Sequence, residues 1–268
     1  MKKIAVIIQF ALVPLFVALI VGAGFLVCVF GPTTHALSSA FAQDAVSPYG
    51  KDQLVTMADA ARDYAFVTNN ELRLHQIMYD VAKQSAGAGE SPSAVRGGAE
   101  ELPAVGDVTD ANDLVQLRKA FDGASERYCF SREAISHLDD CYAIARTAYA
   151  LLGASAVLAV AGMAFLVRAG SQSRAGTSLL TSGVVTLCIF AVLGAWAAID
   201  FDGFFTAFHG LLFSQGNWTF SYDSLLICAL PTELWMGMGG TCLGLSIVLS
   251  VVAIVIGSVL RSPRRMSL

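Results

Sequence analysis

Charge is scarce in this chain of 268 residues: Lys, Arg, Asp and Glu together make up only 14% of it. Ordinary soluble domains carry about 25%, so neither a typical cytosolic enzyme nor a disordered chain fits. Nor is there any basic excess: the formal net charge is −4, which excludes a protein that neutralises nucleic-acid phosphates. The sequence also lacks a glycine-rich phosphate loop, a nucleophile elbow, an HExxH zinc motif, a CxxC pair and any Cys/His spacing of the metal-binding kind. Its 24 Gly and 7 Pro follow no collagen-like period. Apolar residues, by contrast, make up 55%, and the mean hydropathy is +0.62. Those values describe a membrane protein.

Four stretches are long enough to cross a hydrocarbon core, which needs about 20 mostly apolar residues: Ile4 to Phe30, Ala148 to Val167, Ala175 to Ile199 and Gly237 to Leu260. None contains Lys, Arg, Asp or Glu, and each mixes small residues among the branched ones, as close helix packing in lipid requires. Pro14 is expected to kink the first. The basic start and the Ala40-Phe41-Ala42 triplet give that span some likeness to a signal peptide. Its apolar run of 27 residues exceeds the roughly 7–15 of a signal core, so a retained anchor is expected. Seven of the 17 Lys and Arg, but none of the 21 Asp and Glu, lie before span one, between spans two and three, or after span four. The positive-inside rule puts those pieces, and both termini, in the cytoplasm.

The expected architecture is an α-helical integral membrane protein: four transmembrane helices with a mainly helical extracytoplasmic cap. The parts are 1–30 (N-terminus and first helix), 31–147 (cap), 148–199 (second and third helices with a short loop), 200–236 (an aromatic-rich outer segment) and 237–268 (fourth helix and basic tail). In the cap, Leu54, Met57, Ala58, Ala61, Tyr64 and Ala65 recur at helical spacing within 52–83, as one long helix or two shorter ones. Ser85 to Gly106, rich in Ser, Gly, Ala and Pro, reads as a loop. A second helical pattern follows Asp110, and a third starts at Ser131 as N-cap and runs into span two. Gly203 to Phe213 is apolar but too short to span, which suits an interfacial or re-entrant helix. Six of the 16 Phe fall between 201 and 220, near Trp218, Tyr222 and Trp235. They suit either an aromatic belt at the headgroups or a pocket for an acyl chain.

Cys129 and Cys141 face an oxidising side. If the chain between them is helical, its 12 residue steps set their Cα atoms about 18 Å apart, too far for a disulfide. Among the four histidines, His35 reads as interfacial and His75 as an ordinary partly buried residue. His137 is different: Glu133, His137 and Asp140 share one helical face, and a carboxylate beside an imidazole fixes its tautomer and raises its basicity. That constellation suits a structural hydrogen-bond network as well as a catalytic site. His209 lies among Phe205, Phe208 and Phe213, where a structural histidine is the ordinary finding. Two such histidines from separate outer segments would form an acid/base pair if brought together.

Arg132-Glu133-x-x-x-His137-Leu138-Asp139-Asp140 resembles one signature, and Phe208-His209-x-x-Phe213 with Trp218, Asp223-x-Leu225-Leu226, Pro231 and Trp235 resembles another, of four-span bacterial membrane proteins that include the lipoprotein intramolecular transacylases. The resemblance covers most of the chain from about 110 onward, with Leu138 and Cys141 standing where the family has Met and Val. It implies a four-helix base under an extracellular cap, His137 and His209 as catalytic residues, and no cofactor or metal. It also implies transfer of the sn-2 acyl chain of a diacylglyceryl lipoprotein to the α-amine of its N-terminal cysteine. The expected base is His137, oriented by Glu133 or Asp140, with His209 as donor and acid, or the reverse. Arg132, Phe205, Phe208, Phe213 and Trp218 are the expected substrate-binding residues, and the partners are membrane lipid and a lipoprotein. Two alternatives stay open: a metal-dependent lipid-modifying hydrolase using Glu133, His137, Asp140 and His209 as ligands, and a non-catalytic membrane protein whose cap binds a partner.

Overall fold

The computed structural model describes residues 2–87, 107–213 and 216–262; most of the expected 85–106 loop lies outside them. Among the described residues the chain is helical throughout, without a strand. Four helices are long and apolar enough to cross a membrane: α1 (Lys2–Cys28), α6 (Arg132–Arg168), α7 (Gln172–Ile199) and α10 (Thr232–Arg261). α6, α7 and α10 contain their expected spans whole, whereas α1 stops at Cys28, two residues short of the expected end at Phe30. The remaining helices are α2 (Gly31–Phe41), α3 (Lys51–Asp63), α4 (Glu71–Gly87), α5 (Leu114–Ala120), α8 (Phe201–Leu212) and α9 (Leu225–Ala229). The chain divides into two compact units, one of residues 1–28, 147–208 and 239–268, the other of 29–146 and 209–238.

In the first unit, small and hydroxylated residues take the buried positions while Val157, Val160, Val192 and Val259 are exposed, the inversion expected of helices that face lipid. Hydroxyl groups supply the polar ties: Ser178 Oγ donates to Gln9 O (2.9 Å) and Ser182 Oγ to Val13 O (3.2 Å), on the turns around Pro14 of α1. On α7 and α10, Gly176 and Gly257 meet so closely that a Cβ on either would stand 2.5 Å from the other's carbonyl oxygen. α8 opens with the Asp200 carboxylate accepting the Gly203 N–H (2.9 Å), which ties up one of the donors a helix start leaves unmet. It starts two residues before, and ends one before, the interfacial helix expected at 203–213. Its Phe201, Phe204, Phe205 and Phe208 form a run of ring contacts that continues to Trp196.

The second unit is a helical body with its own core. Leu54, Met57, Tyr64, Leu74 and Met78 pack with Phe130, Ala134 and Leu138, and with Leu225, Cys228 and Leu234. Leu54, Leu74, Leu225 and Leu234 are at most 1% exposed, each worth about 1.5–3 kcal/mol of burial. The 52–83 pattern resolves into two helices because α3 widens into a π turn at Tyr64–Thr68, closed by Asn69 in the left-handed region at φ 49°. Asp113 caps α5 by accepting from Val115 N (2.8 Å). Ser131, the expected cap of α6, accepts from Ala134 N (3.1 Å).

The segment 209–238 packs into the core of 29–146 and is bonded to it at several points. Gln43 N donates to Cys228 O (2.9 Å) and Leu225 N to Glu126 O (2.7 Å). Arg127 pairs with Asp223 (3.3 Å). Ser38 Oγ donates to Ala229 O (3.3 Å). None of the six cysteines is in a disulfide; Cys129 precedes α6 and Cys141 sits on it. His35 is exposed and bonded to Asp59 (2.7 Å), and His75 is buried with Nδ1 against Glu71 O (3.0 Å).

Candidate active site

The first turns of α6 present two faces. Ala134 and Leu138 turn into the core, as their 2% and 5% exposures show, and this fixes the rotation of the helix. The opposite side carries Ser136, His137, Asp140 and Cys141. His209, on the last turn of α8, is buried, and its ring lies 6.3 Å from that of His137, centroid to centroid, with the planes 28° apart. At that separation the rings do not bond to each other, but they bring two imidazoles, the usual acid/base groups, to one place in the fold.

Aromatic side chains close the space around the pair. Phe213 stands edge-on to His137 at 4.5 Å and reaches His209 at 5.6 Å. Trp218 packs on His209 at 5.0 Å and Phe220 on His137 at 5.9 Å. Gly216, at φ 73°, takes a left-handed turn that residues with a Cβ avoid, just before the stretch that delivers Trp218 and Phe220.

Charge around His137 departs from the sequence expectation. Burial, and then the neighbouring His209, pull its imidazole down to about 4, and Asp140 opposes them with a smaller effect. The ring is therefore neutral at pH 7, whereas a carboxylate neighbour alone would have made it more basic. Its Nε2 lies 3.7 Å from the Cys141 thiol, which burial and Asp140 push up to about 12 and so keep protonated. Its Nδ1 is buried and meets no hydrogen-bond partner among the described residues.

The carboxylates flanking the histidine are held elsewhere. Asp140 accepts from Asn217 Nδ2 (2.9 Å), so it acts on His137 through charge rather than through a hydrogen bond. Asp139 points the other way and accepts from Tyr64 OH (2.6 Å) and Asn69 Nδ2 (2.8 Å). Glu133 and Arg132 are exposed, and neither makes a hydrogen bond or ion pair among the described residues. Phe213 and Trp218 join the histidines, whereas Phe205 and Phe208 belong to the first unit. No group of three or more His, Cys, Asp or Glu suited to a metal ion occurs among the described residues, so the four residues of the metal alternative are not gathered into such a set.

Three members of the site were not anticipated. Cys141 was within reach of sequence reasoning, since it lies four residues beyond His137 on one helix. Phe220 and Asn217 had no such signal; only their neighbour Trp218 marked the stretch.

Residues 111–235 match the family profile described as lipoprotein intramolecular transacylase Lit. The structure of the membrane-integral lipoprotein intramolecular transacylase Lit from Bacillus cereus is 21% identical, covering 94% of this chain and 97% of that one with a TM-score of 0.47. A histidine-to-alanine form of the same protein is 20% identical over 94% and 95%, with a TM-score of 0.44. No curated protein matches the chain. The matched segment contains His137, His209, Phe213, Trp218 and Phe220, and over residues 111–235 the chain is similar to the lipoprotein intramolecular transacylase Lit family.

Proposed function

We propose that the protein moves the sn-2 acyl chain of a diacylglyceryl lipoprotein onto the α-amine of that lipoprotein's N-terminal cysteine. The observation that carries this reading is the approach of His137 and His209 to 6.3 Å inside an aromatic enclosure, within the segment that matches the family profile. An α-ammonium titrates near 7.7–8.0, so the neutral amine is accessible at physiological pH, and an apolar enclosure favours that neutral form further. The amine attacks the ester carbonyl of the same molecule, which removes the entropy cost of gathering a second substrate. One imidazole takes the proton released as the N–C bond forms. The other donates to the oxygen that becomes negative and then to the departing glyceryl oxygen. An ester is exchanged for an amide, and the glyceryl carbon is left with a hydroxyl.

In this reading Phe213, Trp218 and Phe220 face the reacting ester and exclude water, while Phe205, Phe208 and Arg132 meet lipid. The chain lies in a bacterial cell membrane with both termini cytoplasmic, residues 31–147 and 200–236 outside, and the reacting face extracytoplasmic.

The test is expression in a host whose lipoproteins carry only a diacylglyceryl group, followed by mass spectrometry of their N-terminal lipopeptides. The expected product has one acyl chain on the cysteine nitrogen and a lyso-glyceryl group. His137→Ala and His209→Ala should each lower its formation by about 100-fold or more. Unchanged lipopeptides with the wild-type protein present in the membrane would overturn the proposal.

A further inference from the structure

Asn217 is the polar residue that ties the aromatic stretch to α6. Its Nδ2 donates to Asp140 Oδ2 (2.9 Å) and lies 3.4 Å from Ser136 Oγ. Because a carboxylate only accepts, this contact fixes which end of the amide is nitrogen. The amide oxygen, Oδ1, is therefore an acceptor, and it is buried without a donor among the described residues. Buried polar atoms are nearly always satisfied, so an unmet acceptor beside a reacting centre calls for a donor from a ligand. Next along the chain is Trp218 on His209, and Phe220 lies tilted against His137. Asn217 is thus anchored between elements that hold both imidazoles.

We propose that Asn217 Oδ1 and the Asp140 carboxylate form the capture site for the substrate's α-amine. The inference rests on the transacylase reading and says how that reaction selects its nucleophile. Of the groups that meet at the reaction centre, the ester offers only acceptors and the acyl chain offers neither donor nor acceptor. The amine is the group with N–H donors, and capture of a terminal amine by fixed acceptors is an established recognition mode. Asp140, its carboxylate steadied by the Asn217 N–H, attracts the ammonium form. Asn217 Oδ1 then holds one N–H of the neutral amine while another proton leaves to an imidazole. Held in this way, the lone pair turns toward the ester rather than toward the acceptors.

The test uses the full-length protein in lipid nanodiscs. Two dialkylglyceryl cysteinyl peptides serve as probes, both with ether linkages that cannot react. One has a free α-amine, and in the other hydrogen replaces it. Wild-type protein should bind the amino peptide tenfold or more tighter than the des-amino one, the scale of a hydrogen bond to a charged group. Asn217→Leu should bring that ratio toward the value left by Asp140 alone, a loss of at least fivefold. Asn217→Gln, which keeps both an N–H for Asp140 and an amide acceptor, should preserve more of the ratio than Asn217→Leu. A purely structural role would weaken both peptides equally and leave the ratio unchanged, and that result overturns the inference. So does a wild-type ratio of one, whatever the variants do. Turnover of the corresponding ester peptide by the wild type is measured alongside. Product with no amine preference overturns only the capture site, whereas amine preference without product overturns the transacylase reading.

Discussion

Replacing His137 with Phe removes one titrating group from an enclosure already built of Phe213, Phe220 and Trp218, and its effect should depend on pH in a defined direction. In the folded protein the imidazole stays neutral down to about 4, because burial and His209 disfavour the cation more than Asp140 favours it. In the unfolded chain it takes up a proton near the ordinary 6.5. The depressed folded value means that stability is retained above about 6.5 and lost as pH falls toward about 4, where both states become protonated and the loss levels off. Between pH 7.5 and 4.5 this amounts to about 2 kcal/mol, after allowing for solvent at the half-buried ring. Thermal unfolding in detergent, followed by tryptophan fluorescence, should show wild-type protein losing that much more stability than His137→Phe across the same range. Other titrating groups occur in both proteins and largely cancel in the difference. Superimposable pH curves, or a titration of His137 itself centred at or above 6.5, would refute the argument.

Two further substitutions probe the scaffold. Gly183→Ala should cost about 1–3 kcal/mol in thermal unfolding, since its Cβ would lie 2.5 Å from the Ser250 carbonyl and 2.8 Å from Ile254 Cγ1. Gly153→Ala, with no atom within 4 Å of the added methyl, should be neutral or slightly stabilising. In the second unit, Tyr49→Phe removes the hydroxyl that donates to Tyr128 O (2.8 Å) from a side chain 1% exposed. Loss of that buried hydrogen bond should lower the unfolding free energy by about 0.5–1.5 kcal/mol.

Local pattern was enough for the elements. A run of apolar residues about 20 long is a span whatever surrounds it, because an unpaired backbone in lipid has no alternative to helix. The Ser131 cap and the helical spacing behind it likewise announced α6, since the groups that decide a helix start lie within one turn. Helical spacing also put Ala134 and Leu138 on one side and His137 and Asp140 on another. The sequence did not indicate that α3 would end in a π turn, because Tyr64 takes its place there by reaching Asp139, 75 residues away.

The sequence by itself determined the four helices long and apolar enough to cross a membrane and the short apolar helix of the second outer segment, and its motifs singled out His137 and His209. Tertiary structure decided which neighbours those histidines have. Glu133 shares a helical face with His137 and still stays in solvent, while Asn217, 77 residues from Asp140, becomes its partner. The packing of 209–238 against 29–146 brings Trp218 and Phe220 onto the imidazoles. The physical reason is range: hydrophobic periodicity and capping act within a few residues, whereas desolvation, ring packing and ion pairing depend on atoms brought close by the path of the whole chain. That is why a carboxylate at helical spacing suggested a basic histidine, and the folded enclosure made a neutral one.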